Sequence, residues 1–200
     1  MFINDIRKIV ISVPMKCGTE TFAEIFQNDR HWIDIYKSRT LDDIELSGLA
    51  KTLKVFELTG RNFEDYTHYV IVRHPVDWLV SGFRFLQSFK QNRKLFQYHT
   101  NFYKHLKDVK KEREQNTTVF NLFWSDHCSV MPDRYCDKNA LPRQIEKLDD
   151  FLKELNIDAD IPVLNKTSSH IPYPAINNSS RELLKDICLE YCEKYGYTIQ

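Results

Sequence analysis

The sequence predicts an α/β domain, a three-layer arrangement in which helices flank a central parallel sheet. Three observations point there. Lys8-Ile9-Val10-Ile11-Ser12-Val13 is a short β-branched run stopped by Pro14, the pattern of a strand buried on both faces. Tyr69-Val70-Ile71-Val72 repeats that pattern. Each run leads through a short loop into apolar residues at helical spacing: Phe22, Ile25 and Phe26 after the first, Val76, Leu79, Val80 and Phe83 after the second. Pro75 stands at the first position of the second helix, where its missing N–H costs nothing. Strands alternating with helices favour parallel pairing, with ligands at the carboxyl ends of the strands.

The remaining elements follow in order. Leu41 to Lys51 reads as a weak helix and Leu53 to Leu58 as a third short strand. From Gln87 to Gln115 the chain is polar and lysine-rich, with the character of a helix bearing a solvated face. Asn121 to Leu141 has no readable period, and residues 87–141 together are expected to form a helical insertion or lid. Lys147 to Leu155 is amphipathic through Leu148, Phe151, Leu152 and Leu155. Ser179-x-x-Glu182 has the form of a capping box opening a last helix, whose buried face is expected to carry Leu183, Leu184, Ile187, Cys188, Tyr191, Cys192 and Tyr195.

Two hundred residues, 42% of them apolar, suit a single domain over 1–200. Twenty-eight basic and 28 acidic residues cancel, which argues against nucleic acid or an anionic membrane as the main partner. An anion must therefore be held by local charge. The five cysteines (Cys17, Cys128, Cys136, Cys188, Cys192) include no C-x-x-C pair, so reduced thiols and no metal site are expected. With no apolar run of roughly 18–20 residues and no secretory leader, the expected location is cytoplasmic, without a membrane span.

Two loops carry the chemistry. The first, Pro14-Met15-Lys16-Cys17-Gly18-Thr19-Glu20-Thr21, passes from a buried strand to a helix N-terminus. Unpaired N–H groups and the peptide dipoles make that junction a natural seat for phosphate or sulfate. Gly18 allows close approach, Thr19 and Thr21 offer hydroxyls, and Lys16 adds a full charge. The loop is not a Walker A loop, because its lysine precedes the glycine and the first glycine is missing. In the second loop, Arg73 ends a strand and Ser81 lies nearly two turns into the next helix, so both suit a phosphate.

Taken together, Pro14, Lys16, Gly18, Thr19 and Thr21, followed by Arg73, Pro75, Ser81 and Phe83, resemble the nucleotide-binding signature of sulfotransferases that use 3′-phosphoadenosine 5′-phosphosulfate (PAPS). Trp78 stands where that family often has a second arginine. The tail, Ile145-Glu146-Lys147-Leu148-Asp149-Asp150-Phe151 and then Leu164-Asn165-Lys166-Thr167, is similar to the carbohydrate-type branch. The resemblance implies a P-loop-like fold, PAPS as cosubstrate and no metal. Residues Lys16, Cys17, Gly18, Thr19, Glu20 and Thr21 would cradle the 5′-phosphosulfate, Arg73 and Ser81 the 3′-phosphate, and Lys166 would add a basic contact. The acceptor would be a hydroxyl or amine on a glycan or small molecule.

Sulfuryl transfer is an in-line displacement, and Lys16 is expected to stabilise the leaving phosphate oxygen. The general base stays open among Glu57, His31, Asp34 and His68. The segment Glu57 to Phe63 matches the place where relatives often carry Gly-His, but Arg61 stands here and cannot act as a base. A catalytically silent nucleotide-binding relative is the alternative, and a phosphate-transferring P-loop enzyme a weaker one. His127-Cys128-x5-Arg134 has the spacing of a cysteine phosphatase loop, but it lacks glycine and contains Pro132.

Overall fold

Four consecutive buried residues, Ile9–Ser12, form the strand around which the first half of the protein assembles. A computed structural model describes residues 1–35, 48–88, 101–115, 135–162 and 171–199. In chain order the elements are β1 (Phe2–Asn4), β2 (Ile9–Ser12), α1 (Thr19–Phe26), β3 (Trp32–Asp34), α2 (Gly48–Leu58), β4 (Thr67–Val72), α3 (Pro75–Ser88), α4 (Phe102–Gln115), β5 (Leu141–Gln144), α5 (Leu148–Glu154) and α6 (Asn178–Tyr195). The chain divides into two units, one of Met1–Arg73 with Pro132–Asn165, the other of His74–Met131 with Lys166–Gln200.

The first unit holds a five-stranded sheet in the order β3-β1-β2-β4-β5. It is mixed, not wholly parallel as expected from the sequence: β1 runs antiparallel to both β2 and β3, while β2, β4 and β5 are parallel. Helices flank it on both faces. On one face, Val55 and Phe56 of α2 pack with Ile3, Val10 and Ile35. On the other, Phe22 and Phe26 of α1 meet Phe2, and Phe151 of α5 meets Tyr69. Arg143 on β5 pairs with Glu154 of α5 and lies over the Tyr69 ring, fixing the edge strand.

Leu53 to Leu58 is helical, a correction to the expected strand. Thr52, Val55 and Phe56 are buried while Leu53, Glu57 and Leu58 are exposed, a one-sided spacing that only a helix presents to a sheet. The second unit packs α3 and α4 against α6, and Trp78, Leu79, Phe83, Leu106, Leu184 and Tyr191 on these helices are buried. Trp78 is a core anchor with no exposed surface. The N-cap of α6 is Asn177, whose side chain accepts from the Ser180 N–H at 2.9 Å, so the cap lies two residues before Ser179.

Candidate anion-binding site

The loop that follows β2 is shaped by two left-handed residues. Pro14 to Cys17 close a four-residue turn, with the Cys17 N–H donating to the Pro14 carbonyl at 3.0 Å. Lys16 takes the third position with φ +67°, a place that turns ordinarily give to glycine or asparagine. A lysine held there stores strain of order 1 kcal/mol or more, the kind of cost that persists at functional loops. Gly18, at φ +89°, is the N-cap of α1. A Cβ there would stand 3.2 Å from the Ile145 side chain, so glycine is needed for both conformation and space.

Having no side chain, Gly18 caps nothing. The first turn of α1 therefore keeps its N–H groups without a side-chain cap, and with them the positive end of the helix dipole. The Thr19 hydroxyl donates to the Val13 carbonyl at 3.5 Å and the Thr21 hydroxyl to the Pro162 carbonyl at 3.4 Å, both long bonds. Arg73, just past β4, reaches the loop from the neighbouring parallel strand and donates from Nη1 to the Lys16 carbonyl at 2.8 Å. It thus braces the strained lysine. Cys17 is fully buried, and burial pushes its thiol far up, so it is an inert packing group under the loop.

Topology puts this loop at a favoured place. Among the described elements, the chain leaving β2 next joins the sheet at β3, on one edge, and the chain leaving β4 next joins it at β5, on the other. Adjacent parallel strands whose continuations part in this way open a crevice at their carboxyl ends. Lys16, Cys17, Gly18, Thr19, Glu20, Thr21 and Arg73 all lie there. Ser81 is half-buried on α3 in the second unit. Lys166, the His127-Cys128-x5-Arg134 motif and most of Asn121 to Leu141 lie outside the described residues.

The base candidates fall elsewhere, except one. His31 precedes Trp32, which pairs through Asn4 with Ile9, the amino-terminal residue of β2. It is exposed at the end of the sheet opposite the loop. Glu57 is exposed near the C-terminus of α2 and pairs with Lys54 at 2.9 Å. That helix end also sits at the amino end of β2, because the Arg61 N–H bonds to the Phe56 carbonyl and the Arg61 guanidinium forks onto Asp5 at 2.8 and 2.7 Å. Tyr66 completes the cluster by donating to Asp5 at 2.6 Å. Arg61 is thus a structural ion-pair residue. Asp34 alone shares the loop's end of the sheet, two strands away on β3.

His68 belongs to a buried relay. Its Nδ1 lies 3.0 Å from Asp137 Oδ2, and its Nε2 lies 2.9 Å from Ser12 Oγ. With the carboxylate accepting from Nδ1–H, Nε2 is left to accept from the serine hydroxyl. The distances are those of a hydrolytic triad, but Ser12 is 1% exposed in the middle of the sheet, and no substrate reaches it. Burial lowers the His68 pKa against the pull of Asp137, so the ring is neutral.

Two residues next to the loop, Ile145 and Glu146, belong to the tail segment that resembles the carbohydrate-type branch, but nothing local in that segment points to this site. Ile145 supports Gly18, and the charge of Glu146 acts on Cys17. They come from a 3-10 turn after β5, remote in sequence, so only the folded sheet brings them there. Among the described residues there is no cluster of potential metal ligands, and no helix is long and apolar enough to cross a membrane. No protein-family model, curated protein or solved structure matches the chain.

Proposed function

We propose that the protein transfers a sulfuryl group from PAPS to an acceptor hydroxyl or amine on a glycan or small molecule. The observation that carries this reading is the loop at residues 14–21: a strained lysine braced by an arginine, beside an uncapped helix start, at the carboxyl ends of parallel strands. That succession of strand, loop and helix supports a P-loop-like phosphate site, here without the Walker A glycine and lysine order. The N–H groups of the first turn of α1 hold the 5′-phosphosulfate, and Lys16 neutralises the bridging oxygen as it leaves. Arg73, with one nitrogen committed to the loop, offers the rest of its guanidinium to the 3′-phosphate.

In the reaction the acceptor oxygen or nitrogen forms a bond to sulfur while the bond from sulfur to the bridging phosphate oxygen breaks. The products are the sulfated acceptor and 3′-phosphoadenosine 5′-phosphate. The acceptor proton passes to a carboxylate, and Glu146, at the carboxyl end of β5 beside the loop, is the residue we assign.

The placement of His31 and Glu57 at the far end of the sheet favours a second reading, a nucleotide-binding module without turnover. Following labelled sulfate from PAPS to a panel of sugars and phenols separates the two. Transfer that falls about a hundredfold in Lys16→Ala, and falls in Glu146→Gln without loss of nucleotide affinity, supports the enzyme. Nucleotide binding with no transfer to any acceptor supports the module.

A further inference from the structure

The second unit contains a cavity of about 520 Å³, well within the range of small-molecule sites. We propose that it binds a neutral sugar ring. Among the described residues, every one lining it is uncharged, which sets it apart from the loop at residues 14–21 and disfavours an anionic ligand. Its walls are aromatic, with Phe83, Phe102, Tyr103 and Tyr173 offering ring surface to the apolar C–H face of a sugar. Tyr173 is 65% exposed at the rim, yet held in place: Arg84 lies 4.8 Å from its ring centroid and donates from Nε and Nη2 to the Ile171 carbonyl.

The polar groups choose among neutral ligands. Ser180 is 1% exposed, lines the cavity, and its hydroxyl has no hydrogen-bond partner among the described residues. A buried hydroxyl left unpaired is costly, and a ligand oxygen repays that cost. Asn177 and Asn101 also line the cavity, and both commit Oδ1 to helix caps, accepting from the N–H groups of Ser180 and Tyr103. Their Nδ2 groups remain as donors. The two Nδ2 donors, with the Ser180 hydroxyl and the Gln87 amide able to donate and accept, suit the spread hydroxyl and ring oxygens of a sugar. The inference rests on the second unit alone and stands apart from the reading of the loop.

The test titrates the full-length protein with methyl glycosides of neutral hexoses and N-acetylhexosamines, with adenosine as the planar competitor, by saturation-transfer NMR and calorimetry. At least one glycoside should bind with a millimolar or tighter Kd. Ser180→Ala should weaken it at least about fivefold while leaving the melting temperature unchanged or raised, since it removes an unpaired buried hydroxyl. Tyr173→Ala, at an exposed position, should weaken binding similarly. The proposal is overturned if no glycoside binds in the millimolar range, if both variants bind as the parent does, or if adenosine displaces the glycosides with higher affinity. Nucleotide affinity measured on the same samples reports separately on the loop.

Discussion

The two ends of the sheet in the first unit use charge in opposite ways. At the amino end of β2, Asp5, Arg61 and Tyr66 close on one another, with Lys8 at 3.4 Å from the tyrosine hydroxyl. Opposite charges there are consumed internally, and they fix the β1–β2 turn to the chain between α2 and β4. At the carboxyl end, Lys16 sits in a strained backbone conformation, Gly18 leaves a helix start uncapped, and Arg73 commits one guanidinium nitrogen to the loop's shape. Polar groups paired among themselves build structure, whereas a strained turn before an uncapped helix start is the feature on which the proposed anion site rests.

Substitutions should separate these ends, the largest effect coming first. Lys16→Ala should lower sulfuryl transfer by about a hundredfold or more, equivalent to about 3 kcal/mol of transition-state stabilisation, in a radiolabel transfer assay. Its melting temperature should stay closer to the parent's than that of Gly18→Ala, because alanine tolerates the same positive φ about as well as lysine does. Gly18→Ala should cost about 1–2 kcal/mol in a denaturant titration, through its positive φ and the close approach of Ile145, and should weaken nucleotide binding as well. Unaltered stability would show that the loop relaxes freely.

Arg61→Ala should do the reverse of Lys16→Ala. It should destabilise by about 1 kcal/mol, since the pair with Asp5 is partly exposed, and leave nucleotide affinity unchanged. The smallest effect is in acid. Hydrogen bonds from Arg61, ahead of those from Tyr66, lower the Asp5 pKa to about 2. Because the folded value lies below the unfolded one, the stabilisation is complete above about pH 4 and fades as pH falls through 2. Stability curves of the parent should steepen across that window, and those of Arg61→Ala should be flatter there.

Much of the first unit was legible because its strands are buried on both faces and its helices carry a clear period. Ile9–Ser12, the core of β4 and the start of α1 all fall where local signals place them, as does Pro75 at the head of α3 in the second unit. Three strands were not legible. Phe2–Asn4, Trp32–Asp34 and Leu141–Gln144 are three or four residues long, too short to show alternation, and their pairing comes from the sheet. The antiparallel β1 escaped for the same reason, and with it the mixed character of the sheet. Val55-Phe56 imitated a strand because two adjacent apolar residues fit either period, and only the exposed Leu53 and Leu58 decide for helix.

The loop's residue types were legible, but its strain and its brace were not. Nothing local to Lys16 announces a positive φ, and the bond from Arg73 depends on β2 and β4 being neighbours. His31 and Glu57 have the chemistry of a base, but the strand register puts both at the end of the sheet away from the loop.

Calorimetric titration with 3′-phosphoadenosine 5′-phosphate, beside AMP as control, tests the central claim most directly. The expected result is micromolar binding of the doubly phosphorylated nucleotide, at least tenfold tighter than AMP, with that preference abolished in Arg73→Ala. Equal affinity for the two nucleotides, or no heat from either, would contradict it.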